Sequence, residues 1–128
     1  MALFSRTDKA AQARLAAETA AAFEELGRVA LEGVMPIGEV EWRERVKVAG
    51  RVKALRVQPW SEKIQSLELT LVDGTGGLTV VFLGRRHIGG VRLGTRLVVE
   101  GTVAETRNQL ALLNPAYQLL PHEVALPY

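Results

Sequence analysis

Basic residues recur at alternate positions from residue 45: Arg45, Lys47, Arg51 and Lys53, with Ala49 in the gap and no acidic side chain between them. In an extended strand, side chains two apart share a face, so these four form one cationic stripe. Such a stripe suits a polyanion whose phosphates it neutralises; it equally suits a plain solvated face. More cations fall in segments that read as loops. Arg56 and Lys63 flank Pro59-Trp60-Ser61-Glu62, Arg85 and Arg86 precede His87, and Arg107 opens Arg107-Asn108-Gln109. Twelve of the sixteen basic residues are arginine, whose planar fork grips phosphate bidentately where lysine is a point charge. A GC-rich coding sequence would enrich arginine as well. Trp60 offers a face for a nucleobase, or a plug for one end of a core. Aromatic residues make up only 5% of the chain, so any affinity for nucleic acid rests mainly on phosphate contacts and falls with salt.

Other chemistries find little support. Without cysteine, disulfides, thiolate nucleophiles and cysteine zinc sites are excluded. The two histidines, His87 and His122, lie far apart and lack a companion carboxylate or nucleophile at telling spacing. Asp73 reads as a turn residue, and the glycines at 74, 76 and 77 lack the Lys-Ser/Thr that would make a phosphate loop. No His/Asp/Glu cluster points to a metal. The expectation is therefore a non-catalytic protein without a cofactor.

The elements that position these residues follow from periodicity. From Thr7 to about Leu31 the chain is rich in alanine, glutamate and leucine, all helix formers, and Ser5 is placed to cap the start. Leu15, Thr19, Ala22, Phe23, Leu26 and Ala30 share one face. That stripe would dock on the rest of the chain, pair with a second chain, or remain partly frayed; its acidic polar face argues against a membrane surface. Gly33 to Gly38, with Pro36, break the helix. From Arg45 the period becomes two, with Val46, Val48, Gly50 and Val52 on the apolar side. The alternation slips at Ala54-Leu55, as a bulge would make it, and Gly50 allows a bend. Leu67, Leu69 and Leu71 mark a second strand, Asp73 to Gly77 a tight reversal, and Leu78 to Leu83 a third strand. Arg85 to Val91 form a connection with room for one helical turn. Thr95 to Thr106 form a fourth strand, and a fifth runs from Leu110 to Leu120 with a break at Asn114-Pro115. Phe82 reads as core, Tyr117 as core or surface, and Trp42 as a cover for the core's base or the helix.

Charge divides along the same boundary. Residues 1–42 hold four basic and seven acidic groups, net −3, and residues 43–128 hold twelve and seven, net +5. An acidic helix lying on a basic face would mimic nucleic acid and block it. No window approaches the roughly 20 apolar residues of a membrane span, and the N-terminal run lacks a signal-peptide core; a cytoplasmic location and no membrane insertion are expected.

Five strands whose longest connection lies between the third and fourth match the oligonucleotide/oligosaccharide-binding (OB) arrangement, a Greek-key barrel. The sequence resembles such domains along its length. Val46-Lys47-Val48-Ala49-Gly50-Arg51-Val52 is similar to their opening strand, Asp73-Gly74-Thr75-Gly76-Gly77 with the apolar run after it to their central hairpin, and Gly94 to Val103 to their fourth strand. Asn114-Pro115-Ala116-Tyr117 resembles the fifth strand in the wedge domain of branched-DNA helicases. Anticodon-binding OB domains of aminoacyl-tRNA synthetases are also similar, and the whole most resembles a stand-alone OB-fold nucleic-acid-binding family of actinobacteria. The resemblance implies an all-β core, a five-stranded OB-fold Greek-key barrel at residues 37–120, behind an N-terminal amphipathic α-helix and linker at 1–36 and before a loose tail at 121–128. It implies nucleic acid as partner, single-stranded or branched DNA before RNA. The expected contacts are Arg45, Lys47, Arg51, Lys53, Arg56, Trp60, Lys63, Arg85, Arg86 and Arg107. OB barrels also serve as protein–protein adaptors, and the helix would then carry a homo-oligomer or a protein partner.

Overall fold

A computed structural model describes residues 6–128, with side chains from Asp8 onward; the expected Ser5 cap lies outside the described residues. Helix α1 spans Arg6–Ala30. The strands are β1 (Arg45–Pro59), β2 (Gln65–Val72), β3 (Gly77–Leu83), β4 (Arg96–Thr106), β5 (Gln109–Leu113) and β6 (Ala116–Leu120).

The strands close into a ring. Their order is β1-β2-β3-β5-β4, and β1 pairs again with β4. Every pairing is antiparallel except that of β3 with β5. The long first strand makes closure feasible: Arg45 to Arg51 pair with β4 and Arg51 to Pro59 with β2. The register shifts between Val52 and Ala54, so Lys53 is the bulged residue, one position before the expected slip. The interrupted fifth strand is two strands. Asn114, at φ 46, turns the chain. Its N–H donates to the Val81 carbonyl at 2.7 Å, and its Oδ1 accepts from Leu83 N–H at 2.8 Å. β5 thus closes the ring on β3, while β6 runs along the upper part of β4.

Strand alternation sends Val46, Val48, Val52, Leu67, Leu69, Leu71, Leu78, Val80, Phe82, Leu97, Val99, Val103 and Leu112 into the barrel. Ile37 from the linker and Ile88 and Val91 from the β3–β4 connection join them. That connection is built of turns and contains no helical turn; its apolar residues serve the core directly. Phe82 is core, as expected, and meets the Tyr117 ring edge-on at 5.5 Å between centroids.

A second cluster lies outside the ring, where Ala30, Ala49, Val98 and Leu120 pack with Leu31, Val34 and Leu126. The C-terminal end of α1 docks here, across β1, β4 and β6. The tail is not loose. Val124 is buried, its carbonyl accepts from Arg96 Nη1, and it fills the notch left by Gly27, where an added Cβ would come within 2.9 Å of its Cγ1.

Asp73 fastens the linker to the β2–β3 turn. Its carboxylate accepts from the backbone N–H of Ile37, Thr75 and Gly76 and from the Thr75 hydroxyl. Burial pushes the carboxyl pKa up, but these hydrogen bonds together outweigh it and hold the pKa below the ordinary value. A depressed folded-state pKa contributes stability above the unfolded pKa and loses it as pH falls through the folded one. Asp73→Asn should therefore lower stability by about 2 kcal/mol at neutral pH, and the gap to the parent should narrow as pH falls through the folded-state pKa. Urea melts across that range test this; a gap independent of pH refutes it.

Candidate nucleic-acid interface

On the outer face of the barrel, strand registers line up a cross-strand row of small side chains: Ala54 opposite Thr70, Thr70 opposite Thr79, Thr79 beside Ala111, and Ala111 opposite Ala104. One step along, the adjacent row reads Arg56, Glu68, Val81 and Leu113. Small residues keep this face low, and the low strip across β1, β2 and β3 is the candidate groove. The two rows lie two residues apart, about 7 Å along a strand.

Cations stand at both ends of the groove. At one end Arg51 and Lys53 line a cleft of about 640 Å³ with Thr70, Val72, Gly77 and Gly94. Asp73 also lines it, but its oxygens are taken by the turn. At the other end the β1–β2 and β4–β5 loops meet. Arg107 Nη1 donates to Gln58 Oε1 at 3.1 Å and faces Glu68 Oε2 at 3.4 Å, while its Nη2 donates to the Pro59 carbonyl at 3.1 Å. Its guanidinium stands 5.9 Å from the centroid of the Trp60 ring. Arg56 Nη2 reaches the other Glu68 oxygen at 3.1 Å, and Gln58 Nε2 donates to Glu68 at 2.8 Å. Glu68 is 7% exposed. One buried carboxylate thus holds two arginines whose side chains remain 64% and 45% exposed. Arg56, Arg107 and Glu68 together carry net charge +1.

Arg107 and Asn108 both have positive φ, 52° and 63°. This is the geometry of a two-residue type I′ hairpin, which asparagine and glycine tolerate and arginine does not favour. The strain at Arg107 coincides with its reach across to the β1–β2 loop.

The expected sites divide accordingly. Arg51, Lys53, Arg56, Trp60 and Arg107 line the groove and its rim. Trp60 is half-buried beside Arg107, and its backbone N–H donates to the Ile64 carbonyl at 2.8 Å within the β1–β2 loop. Lys63 is exposed in the same loop. Arg85 and Arg86 are exposed beyond β3, where Gly84 N–H donates to Gln65 O at 2.7 Å and sets them beside the start of β2. Arg45 and Lys47 are not part of the groove. Arg45 faces Glu100 at 3.8 Å, and Lys47 Nζ donates to the Glu32 carbonyl just past the end of α1 at 2.8 Å. The stripe is broken at Ala49, which lies buried under α1, so the helix covers part of strand one and leaves the groove open.

Two features escaped the sequence reading. Trp42, expected as a cover, is 53% exposed and lies under the Arg43 guanidinium at 4.1 Å; Arg43 has φ 71°. Arg96 stands directly opposite Arg51 across β1–β4, a like-charge pair that costs stability on its own, and Arg92 lies beyond it near Gly94. The +5 excess of the barrel region was the available signal for these arginines; their partners across strands were not. Among the described residues no group of three or more His, Asp or Glu is placed to hold a metal, and no helix is long and apolar enough to cross a membrane.

No protein-family model and no curated protein matches the chain. Solved structures do. The second OB-fold domain of replication protein A from Methanococcus maripaludis aligns over 66% of this chain and 92% of its own, at TM-score 0.55 and 20% identity. A replication factor A related protein from Methanobacterium thermoautotrophicum aligns over 70% of this chain and 94% of its own, at TM-score 0.55 and 15% identity. RecG bound to a three-way DNA junction aligns over 70% of this chain at TM-score 0.58 and 16% identity, with the chain spanning 13% of RecG. At these identities the likeness is one of fold, and with the closed β1-β2-β3-β5-β4 ring it establishes the barrel as an OB fold behind a single N-terminal helix.

Proposed function

We propose that the chain is a non-catalytic nucleic-acid-binding protein of the cytoplasm. It binds single-stranded or branched DNA before RNA, through phosphate contacts with little sequence preference. The observation that carries this reading is the groove on β1, β2 and β3, low in the middle and cationic at both ends, with Trp60 at its rim. Single-stranded nucleic acid asks for that combination of backbone-tracking cations and an aromatic face. The fold likeness to replication protein A domains and to RecG, which was solved on a DNA junction, supports the same class of ligand.

The test is fluorescence anisotropy with labelled single-stranded DNA of about 20 nucleotides across a salt series, where four groove cations predict a log–log slope of roughly −3. Arg56→Ala/Arg107→Ala should make that slope shallower by about 1.4. Trp60→Ala should cost about 1–3 kcal/mol of affinity. Absence of binding at low salt sinks the proposal. A branched DNA and an RNA of equal length, run alongside, rank the ligands.

A further inference from the structure

Four cations meet at the end of the groove away from Trp60: Arg51, Lys53, Arg92 and Arg96. Arg51 stands directly opposite Arg96 in the β1–β4 ladder, where opposed side chains share a face and Cα atoms lie about 5 Å apart. Val72 and Leu120 extend the same row to either side. Arg96 gives one N–H to the Val124 carbonyl. Arg51, Lys53 and Arg92 are exposed, and among the described residues none of them makes an ion pair. Two acids are close, and both are engaged. Asp73 is taken by the β2–β3 turn, and Glu123 lies 3.3 Å from His122 Nε2.

Two clefts adjoin at this row. The first is the groove end already described, with Arg51 and Lys53. The second, of about 580 Å³, is lined by Arg92, Arg96, Leu119, Leu120 and His122. Gly94 lines both, and a Cβ added to it would meet nothing within 4 Å, so no side chain bars the way between them. The turn that carries Gly94 is fixed. Gly94 N–H donates to the Val52 carbonyl at 2.8 Å, and Val52 N–H to the Thr95 carbonyl at 2.9 Å. Arg92 N–H donates to Thr95 Oγ1 at 3.0 Å, and the Thr95 hydroxyl to the Gly90 carbonyl at 3.1 Å. Arg92 is thus held by its backbone, with its guanidinium left for a ligand. No Trp, Tyr or Phe lines the second cleft, which suits it to a phosphate backbone rather than to a stacked base.

We propose that a single strand filling the groove leaves it over Gly94 and seats its next phosphates on Arg92 and Arg96. Phosphate then bridges Arg51 and Arg96, and a like-charge pair that repels in the unbound protein becomes a source of affinity. The track rests on the proposed groove and lengthens it from β1, β2 and β3 across the barrel to the start of β4.

Anisotropy with the full chain and thymidine strands of about 6 and about 20 nucleotides tests this, the first matched to the groove and the second long enough for both clefts. On the long strand, two further cations should steepen the log–log salt slope by about 1.4 beyond what the four groove cations give. Arg92→Glu should lower affinity for the long strand about 10-fold at low salt, and for the short strand by no more than about two-fold. Unchanged binding of the short strand also shows that the variant is folded. Arg45→Glu is the control for overall charge, because Arg45 lies along β1 about 20 Å from Arg51. It should leave both lengths within about two-fold of the parent. Equal losses on both lengths, or losses as large in Arg45→Glu, overturn the track. A long strand indifferent to Arg92→Glu but weakened by Arg56→Ala/Arg107→Ala overturns the track and keeps the groove. A parent that binds neither strand overturns both.

Discussion

Glu68→Gln should tighten binding of single-stranded DNA while weakening the fold. Glu68 is the one carboxylate on the outer row of β2 that the groove buries, and it lies between Arg56 and Arg107. Any phosphate seated against those arginines sits near its negative charge. A unit charge several ångströms from a phosphate, partly screened, is worth on the order of 1 kcal/mol, so affinity should rise about five-fold at low salt, with the gain shrinking as salt is added. Glutamine keeps one acceptor for the arginines but loses the charge-assisted character of both contacts, which should cost about 1–2 kcal/mol of stability. Arg107→Ala moves affinity the other way, since it removes a cation and releases the loop contact. Anisotropy titrations, with urea melts on the same samples, read both effects. If Glu68→Gln binds with unchanged or lower affinity while its melt shows a folded protein, the groove is not where phosphate sits.

The ring of strands was legible because period-two patterning is local. Val46 to Val52, Leu67 to Leu71 and Leu97 to Val103 each show their inward face in a few residues, and the bulge near Ala54 appears as a slip in that alternation. What the sequence could not show are contacts between distant segments. Lys47 reads as one cation of a stripe, yet it is taken by the Glu32 carbonyl because α1 ends against Ala49. Arg107 and Glu68 lie 39 positions apart, and no spacing rule links them. Trp42 reads as a cover, but the left-handed backbone at Arg43 accompanies a tryptophan left open to solvent. The tail at 121–128 reads as loose, whereas Gly27 leaves room for Val124 and fixes it. The five groove and rim residues were therefore named from charge and loop position, while their grouping came from barrel closure.

Gly50→Ala should be among the most damaging single-methyl changes in the barrel. Gly50 allows more than a bend. It sits where β1 passes from pairing with β4 to pairing with β2: it is opposite Leu97, and Arg51, the next residue, is shared by both partners. At that crossing the backbone must come against the end of β2. A Cβ added there would lie 2.5 Å from the Val72 carbonyl oxygen, 2.9 Å from its carbon and 3.0 Å from Leu71 Cγ. The obstacle is backbone held in the β2 ladder, which cannot rotate aside as a side chain would. Overpacking of this kind costs about 3 kcal/mol, which for a domain of this size lowers Tm by roughly 10 °C. Gly89 is the control: nothing lies within 4 Å of its added Cβ, and its φ is not in the left-handed region. Gly89→Ala should shift stability by no more than about 0.5 kcal/mol, and upward if at all. Thermal melts of the two variants beside the parent decide the matter, and equal melting temperatures for Gly50→Ala and the parent would refute the close-approach argument. Because Arg51 and Lys53 follow this crossing directly, relief of the clash moves the cations at that end of the groove, so the surviving folded fraction of Gly50→Ala should also bind DNA more weakly than Gly89→Ala.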